Sequence, residues 1–165
     1  MDYEFNMQEM NYLIDIQHAC QEPLPIEDKT LTHWVTHTLK SQVAKAELTL
    51  RFVDIDEMTE LNHTYRNQNK PTNVLAFPAS HPDDIPLDFP LLGDVIICPA
   101  VLLNESQSLQ TPLDAHWAHI VIHGVLHLLG YDHIIESDAI KMRALEINLL
   151  NELNFDNPYK DDSCE

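Results

Sequence analysis

Three histidines that lie close together in the sequence have the type and spacing of metal ligands. His123 and His127 are four residues apart in a segment with helical periodicity, so a helix would place both imidazoles on one face, one turn apart. Gly130 follows, and glycine readily takes the left-handed conformation that ends a helix. The chain can then turn back and bring His133 to the same ion. The spacing therefore predicts a metal site formed by His123, His127 and His133.

Three neutral imidazoles around a divalent ion leave one coordination position open to water, which is typical of catalytic rather than structural zinc sites. We therefore predict a hydrolase with one bound zinc ion, in which His127 is a catalytic residue as well as a ligand. His116 and His119 fall on the same stripe of the helix. We interpret them as helix-face residues, with support of the ligands as the alternative.

The same spacing matches the metzincin protease motif HExxHxxGxxH, with one difference. Gly124 stands where the protease has the glutamate that acts as general base. This difference speaks against a peptidase, although another zinc hydrolase remains an alternative. Deprotonation of water would then depend on the ion, on the substrate or on a group from elsewhere. Asp132 is near in sequence, but loop packing or solvation is its preferred interpretation.

The charge of the chain bears on possible substrates and partners. The sequence has 27 Asp and Glu against 9 Lys and Arg, a formal net charge of −18, which opposes non-specific attraction to nucleic acid. The acidity indicates either a solvated surface or docking onto a basic protein. Arg66 could bind phosphate through its paired donors, or it could be a surface residue at a helix end. Lys70 could add a second phosphate contact, and Thr72 and Asn73 could orient either their loop or the substrate.

The elements that position these residues follow from hydrophobic periodicity and from breaker residues. Strands are predicted at 12–19, 47–53, 73–78 and 93–99, and helices at 26–42, around 58–65, and in three pieces of 99–153 separated at 110–112 and 130–135. The proline-rich segment between the last two strands is predicted to be a surface loop across which they pair. In the helix with the histidines, Thr111 is expected to cap, Pro112 to take the first position and Asp114 to lie in the first turn.

This order of elements favours an α+β fold. We expect a small mixed sheet flanked by helices, with the metal site at the end of a central helix. Residues 1–155 are predicted to form one domain and residues 156–165 an acidic, frayed tail. The sequence has neither a membrane span nor a signal peptide, so a cytoplasmic protein is expected. Cys20, Cys98 and Cys164 are expected to be free thiols.

The motif of residues 123–133, HGVLHLLGYDH, resembles the signature of the YbeY family of bacterial endoribonucleases. Residues 61–78, with the run KPTNVLAFP, are similar to a second block of that family, and residues 92–97, LGDVII, to a third. The resemblance implies that His123, His127 and His133 bind zinc and that Arg66 is a functionally important arginine. Together the matching segments cover most of residues 47–133.

The resemblance also implies a function. It indicates a zinc-dependent, single-strand-specific endoribonuclease that acts in ribosomal RNA processing, at the 3′ end of the small-subunit RNA, and in ribosome quality control. The expected partners are precursor ribosomal RNA and the small ribosomal subunit or its basic proteins. Either an activated water or the neighbouring ribose hydroxyl could attack the phosphodiester, with Arg66 stabilising the developing charge. The alternatives are a non-catalytic ribosome-assembly factor with a structural metal, or another zinc hydrolase.

Overall fold

A computed structural model describes residues 11–79 and 90–159 of the chain. Its four strands are β1 (Tyr12–His18), β2 (Ala46–Phe52), β3 (Val74–Pro78) and β4 (Leu91–Ile97). They form one sheet in the order β1-β2-β4-β3, in which β2 pairs in parallel with both β1 and β4. β3 pairs antiparallel to β4. The prediction of a mixed sheet, with pairing of the last two strands, is confirmed; residues 80–89 of the connecting loop lie outside the described part.

In the described ranges, five helices accompany the sheet: α1 (Asp28–Lys40), α2 (Ile55–Arg66), α3 (Pro99–Leu109), α4 (Leu113–Leu128) and α5 (Glu136–Glu152). α4 is central, because it packs against α1, α3 and α5 and against strands β3 and β4. A helix with neighbours on so many sides must be apolar around most of its circumference. Trp117 on α4 is fully buried, and its ring stacks on Phe52 of β2 at a centroid distance of 5.4 Å. The α+β fold with a central helix is confirmed.

The start of α4 differs from the prediction. Pro112 is the N-cap and makes no side-chain cap hydrogen bond, whereas the Asp114 carboxylate accepts from the Ala115 backbone N–H in the first turn at 2.8 Å. Thr111 belongs instead to the end of α3, because its backbone N–H donates to the Ser106 carbonyl at 3.0 Å. The predicted capping role of Thr111 is therefore wrong, and Pro112 lies one position earlier than expected. Asp114 is in the first turn, as predicted.

The C-terminal segment is held to the domain further than expected. The Tyr159 hydroxyl donates a hydrogen bond to Glu146 of α5, so the prediction of a frayed tail does not hold at Tyr159. Residues 160–165 of that predicted tail, including Cys164, lie outside the described residues. Cys20 and Cys98 are both free thiols, as predicted. Within the described ranges, no helix is both long and apolar enough to cross a membrane.

Candidate metal site and cleft

The three predicted ligands come together in the structure. His123 and His127 lie one turn apart at the C-terminal end of α4, and His133 reaches them from the loop that follows. One ring nitrogen from each residue can be chosen so that all three atoms lie within 4.8 Å of one another. The Nε2 atoms of His123 and His127 are 3.1 Å apart. His133 is exposed, whereas His123 and His127 are half-buried.

The turn at Gly130 is what returns the chain to the site. Gly130 has a φ of +104°, and its N–H donates to the His127 carbonyl at 3.1 Å. The next N–H, of Tyr131, reaches back to the Leu126 carbonyl at 3.0 Å. These bonds satisfy carbonyls at the helix end while the chain reverses. The predicted conformational role of this glycine is confirmed.

Gly124 has a packing role that explains why it is not a glutamate. A Cβ atom at this position would stand 2.6 Å from Cγ1 of Val95 and 3.3 Å from Cγ2 of Val74. Helix α4 thus lies against β3 and β4 at the point where the protease motif has its general base. A glutamate side chain here would have to enter the packed helix–sheet interface. Because that space is filled, the protease chemistry is disfavoured by structure as well as by sequence.

The surroundings of His127 favour its neutral form. Burial lowers the pKa of His127, and the proximity of His123 and His133 lowers it further. A hydrogen bond with the backbone of Tyr131 and the charge of Asp132 act in the opposite direction but do not reverse the shift. A neutral imidazole has a free lone pair, which is the form that binds a metal ion.

A buried carboxylate, Glu146 of α5, lies behind the histidines. Its Oε2 atom is 2.5 Å from Nδ1 of His123, and its Oε1 atom is 3.0 Å from Nε2 of His119. The side chain of Glu146 is 1% exposed. Burial alone would raise the pKa of Glu146, but the hydrogen bonds with His119 and His123 outweigh it and lower the pKa to about 2. Glu146 is therefore an anion next to the site at neutral pH.

The histidines open onto a cleft of about 610 Å³ that Arg66 also lines. Arg66 is exposed at the end of α2; its guanidinium lies over the Phe77 ring, 5.4 Å from the centroid. It also donates to the carbonyls of Tyr65 at 3.2 Å and Ala76 at 3.4 Å. The structure thus places Arg66 both at a helix end and at the cleft, so the two interpretations of this residue are compatible.

The loop before β3 is held in place by its own polar residues. The Asn73 amide donates to both carboxylate oxygens of Glu105, at 3.3 and 3.2 Å, and Asn62 donates to the Lys70 carbonyl at 2.8 Å. Asn73 therefore orients the loop, although it and Thr72 also line the cleft. Among the described residues, the cleft lining does not include Lys70, so this structure does not support the second phosphate contact predicted for that lysine.

The other residues considered from the sequence have local roles. Nε2 of His116, which is buried, lies 2.8 Å from Glu105 and outside the three-histidine group. His119 contacts Glu146, which in turn contacts His123, so its geometry matches the alternative of ligand support. Asp132 accepts a hydrogen bond from the His133 backbone N–H at 2.6 Å. This bond agrees with the preferred interpretation of Asp132 as a loop residue.

Glu146 and Tyr159 were not predicted from the sequence. A signal for Glu146 was present, because it shares a helical stripe with Met142, Leu149 and Leu150, at spacings of four, three and four residues. A single charge on such an apolar stripe indicates a buried carboxylate that needs partners. No comparable signal marked Tyr159, which lies beyond the last helix in a polar segment.

The residues present fit a zinc ion. Zinc binds imidazole nitrogens at about 2.0–2.1 Å in tetrahedral geometry, which requires ligand atoms roughly 3.3 Å apart. The Nε2 atoms of His123 and His127, 3.1 Å apart, are close to that spacing. The carboxylate on Nδ1 of His123 is the partner that a metal-bound histidine usually has on its other nitrogen. The donor set is all imidazole, which suits zinc rather than magnesium or calcium.

Comparison with known proteins agrees with these observations. The family model described as "Endoribonuclease YbeY" matches residues 16–154. A protein named endoribonuclease YbeY from Legionella pneumophila (strain Corby) is 56% identical over 151 residues, covering 92% of this chain and 96% of the relative. Another of that name from Pseudomonas putida (strain KT2440) is 51% identical over 152 residues, with the same coverage. A solution structure of a Thermotoga maritima protein superposes with a TM-score of 0.57 at 24% identity, covering 84% of this chain and 91% of that one.

Proposed function

Because this chain belongs to the YbeY family of endoribonucleases, we propose that it is a zinc-dependent endoribonuclease specific for single-stranded RNA. Its proposed role is the maturation of ribosomal RNA, at the 3′ end of the small-subunit RNA, and ribosome quality control in the cytoplasm. The proposed ligands of the single ion are His123, His127 and His133. Arg66 and His127 are the proposed catalytic residues.

One observation carries this proposal: the three histidines and Arg66 line the same cleft. A phosphodiester in that cleft would find imidazole ligands on one wall and a guanidinium on another. An arginine presents paired donors to phosphate oxygens and stays charged at any working pH. The combination is suited to a substrate that carries one negative charge on a tetrahedral phosphorus and gains more in the transition state.

The chain's own residues divide the work of the proposed reaction. A divalent ion bound here would supply Lewis-acid polarisation of the phosphate and of an attacking hydroxyl. Arg66 would hold a non-bridging phosphate oxygen and offset the charge that develops there. The loop of Thr72 and Asn73 would form the adjoining wall, which Glu105 keeps in position through the Asn73 amide.

The charge of the chain supports a protein-assisted route to RNA. With a net charge of −18, the surface as a whole repels a polyanion, and Arg66 at the cleft acts against that background. Basic ribosomal proteins would be attracted by the same surface. We therefore propose that the small ribosomal subunit or its proteins bring the enzyme to its RNA.

A non-catalytic assembly factor with a structural metal is the second candidate. Structural zinc sites are closed by four protein ligands, whereas the group found among the described residues at the cleft comprises three histidines. The site also faces an open cleft rather than the core. Both observations favour the catalytic role. The acidic surface is compatible with an endoribonuclease and with an assembly factor alike.

Charge reversal at Arg66 tests the catalytic role separately from metal binding. Arg66→Glu leaves the three histidines untouched, so zinc content and fold should be preserved. Removing one donor to transition-state charge typically costs about 100- to 1000-fold in rate, and an added carboxylate should cost at least that. Lys29→Glu, at an exposed position on α1, makes the same change in net charge away from the cleft. The assay is cleavage of single-stranded and structured RNA by zinc-loaded, tag-free protein.

The expected result is cleavage of single-stranded RNA by the parent and by Lys29→Glu at similar rates, with almost none by Arg66→Glu. If Arg66→Glu cleaves within about threefold of the parent, the arginine is only a surface residue and does not bind the scissile phosphate. If the zinc-loaded parent cleaves no RNA, alone or on ribosomal subunits, the assembly-factor alternative is favoured.

A further inference from the structure

His123 has two ring nitrogens, and the structure uses them differently. Nδ1 faces Glu146 at 2.5 Å, whereas Nε2 faces His127 Nε2 at 3.1 Å. Three groups that can donate, His123 Nδ1, His119 Nε2 and the Tyr159 hydroxyl, surround the two oxygens of this carboxylate, so Nδ1 carries the proton and donates. In a neutral imidazole, Nε2 is then left with its lone pair directed at the other histidines. Contact with Glu146 thus selects the tautomer that presents Nε2 to a metal ion.

Glu146 is itself fixed by donors on its other oxygen. His119 Nε2 is 3.0 Å from Oε1, and the Tyr159 hydroxyl donates to the same atom. The Tyr159 ring also packs edge-on against His119, with centroids 5.3 Å apart. Three elements, namely α4, α5 and the segment after α5, therefore converge on one carboxylate. Its orientation leaves little freedom for the His123 ring.

We propose that Glu146 is a positioning residue that holds His123 in the metal-binding tautomer and orientation, with His119 and Tyr159 holding Glu146 in turn. This inference rests on the proposed metal site at His123, His127 and His133. Carboxylates that bind the second nitrogen of a ligand histidine fix its ring and increase its basicity. A zinc ion with three neutral imidazole ligands has a net charge of +2. Together with the Glu146 carboxylate, the whole group would have a net charge of +1.

His119, His123 and Glu146 could also be considered as metal ligands themselves, because their donor atoms lie within 4.8 Å of one another. Their geometry favours hydrogen bonding. His123 and His119 approach the carboxylate at 2.5 and 3.0 Å, which are hydrogen-bond distances and are shorter than the roughly 3.3 Å between two ligands of one tetrahedral zinc ion. Glu146 is also 1% exposed and does not line the open cleft, whereas His123 does. We therefore assign Glu146 a place behind the ligands.

Zinc and cobalt binding to Glu146→Gln tests the proposal without relying on activity. Glutamine has nearly the same size but pairs one acceptor with an amide donor, so it cannot accept from His123, His119 and Tyr159 together. Loss of such a partner typically weakens metal affinity by about 10- to 100-fold. The visible absorption of bound Co²⁺, which depends on ligand geometry, should change as well. Circular dichroism and the melting temperature of the metal-free protein report on the fold.

Glu152→Gln is the matched control. Glu152 is on the same helix as Glu146 and also contacts a histidine, since its Oε1 lies 2.9 Å from His37 Nε2, but His37 is not a proposed ligand and Glu152 does not line the cleft. The control should keep parental zinc affinity and the parental cobalt spectrum, even if it loses similar stability. Equal weakening by both variants would mean that zinc affinity merely follows stability, and this would overturn the positioning role.

The remaining outcomes separate this inference from the metal site itself. If the parent binds no zinc, the proposed site fails. If the parent binds zinc and Glu146→Gln has the same affinity and cobalt spectrum, only the positioning role is wrong. Two ions in the parent and one in the variant would make Glu146 a ligand, which also contradicts the inference.

Tyr159→Phe is the second variant, used if Glu146→Gln does not fold. It removes one donor to the Glu146 carboxylate and should weaken zinc binding severalfold; unchanged zinc affinity in this variant would overturn the proposal.

Discussion

Replacing Gly124 with alanine tests the contact between α4 and the sheet. The new Cβ would lie 2.6 Å from Val95 Cγ1, whereas carbon atoms in contact normally stand about 3.5–4.0 Å apart. The gap must therefore widen by roughly 1 Å. Val95 is fully buried, and a β-branched side chain has few rotamers to which it can move. The expected response is a small displacement of the helix from β4.

Gly124→Ala should lower the free energy of unfolding, and two opposing effects determine by how much. Overpacking of this kind costs about 1–3 kcal/mol, while alanine in a helix interior is about 1 kcal/mol better than glycine. The expected net loss is therefore up to about 2 kcal/mol, which urea denaturation can measure. Gly124→Glu should be much worse, because a carboxylate would also be buried without a partner.

Repeating Gly124→Ala in the Val95→Ala background tests whether the contact with Val95 causes the loss of stability. Removing both Cγ atoms of Val95 leaves space for the new Cβ, so Gly124→Ala should there become neutral or stabilising by up to about 1 kcal/mol. Val95→Ala alone will destabilise the protein by creating a cavity. If Gly124→Ala costs the same in both backgrounds, contact with Val95 is not the reason for glycine at this position.

Two further predictions concern the turn and the acidic surface. Gly130→Ala should lower stability by about 1–3 kcal/mol because of the positive φ alone, since a Cβ there would have no neighbour within 4 Å; unchanged urea denaturation and unchanged zinc affinity would show that the turn tolerates a side chain. Affinity for free RNA should be weak and fall steeply with salt, while affinity for small ribosomal subunits should be much higher; tight binding to naked RNA at physiological salt, with no preference for subunits, would contradict a protein-assisted route.

The sequence was sufficient to predict what depends on local periodicity. The break between two helices at Gly130 and the grouping of the three histidines both follow from residue spacing along one helix and one turn. The structure has the positive φ at Gly130 and brings the three histidines together, as expected. The alternation of Leu48, Leu50 and Phe52 likewise predicted β2. Such patterns are readable because each residue's environment is decided by neighbours within a few positions.

Features that depend on packing between distant segments were missed. Glu146 reaches His123 across 23 residues of sequence, and only the packing of α5 on α4 shows that this carboxylate is a partner of the site. The sequence shows that Gly124 replaces the glutamate of the protease motif. The packing reason for glycine at this position is the contact with Val95, which lies 29 residues earlier in the sequence and follows from no spacing rule. The predicted cap at Thr111 is wrong because the backbone N–H of this residue bonds to the Ser106 carbonyl of α3, and a bond made by the backbone leaves no mark on the residue type.

The most direct test of the central claim is the zinc content of His127→Ala. Protein purified without a metal-affinity tag should contain one zinc ion per chain in the parent and in His63→Ala, a control at an exposed histidine of α2. His127→Ala should contain almost none, because two imidazoles from different elements hold an ion far more weakly than three. A full equivalent of zinc in folded His127→Ala would contradict the three-histidine site and with it the proposed chemistry of the cleft.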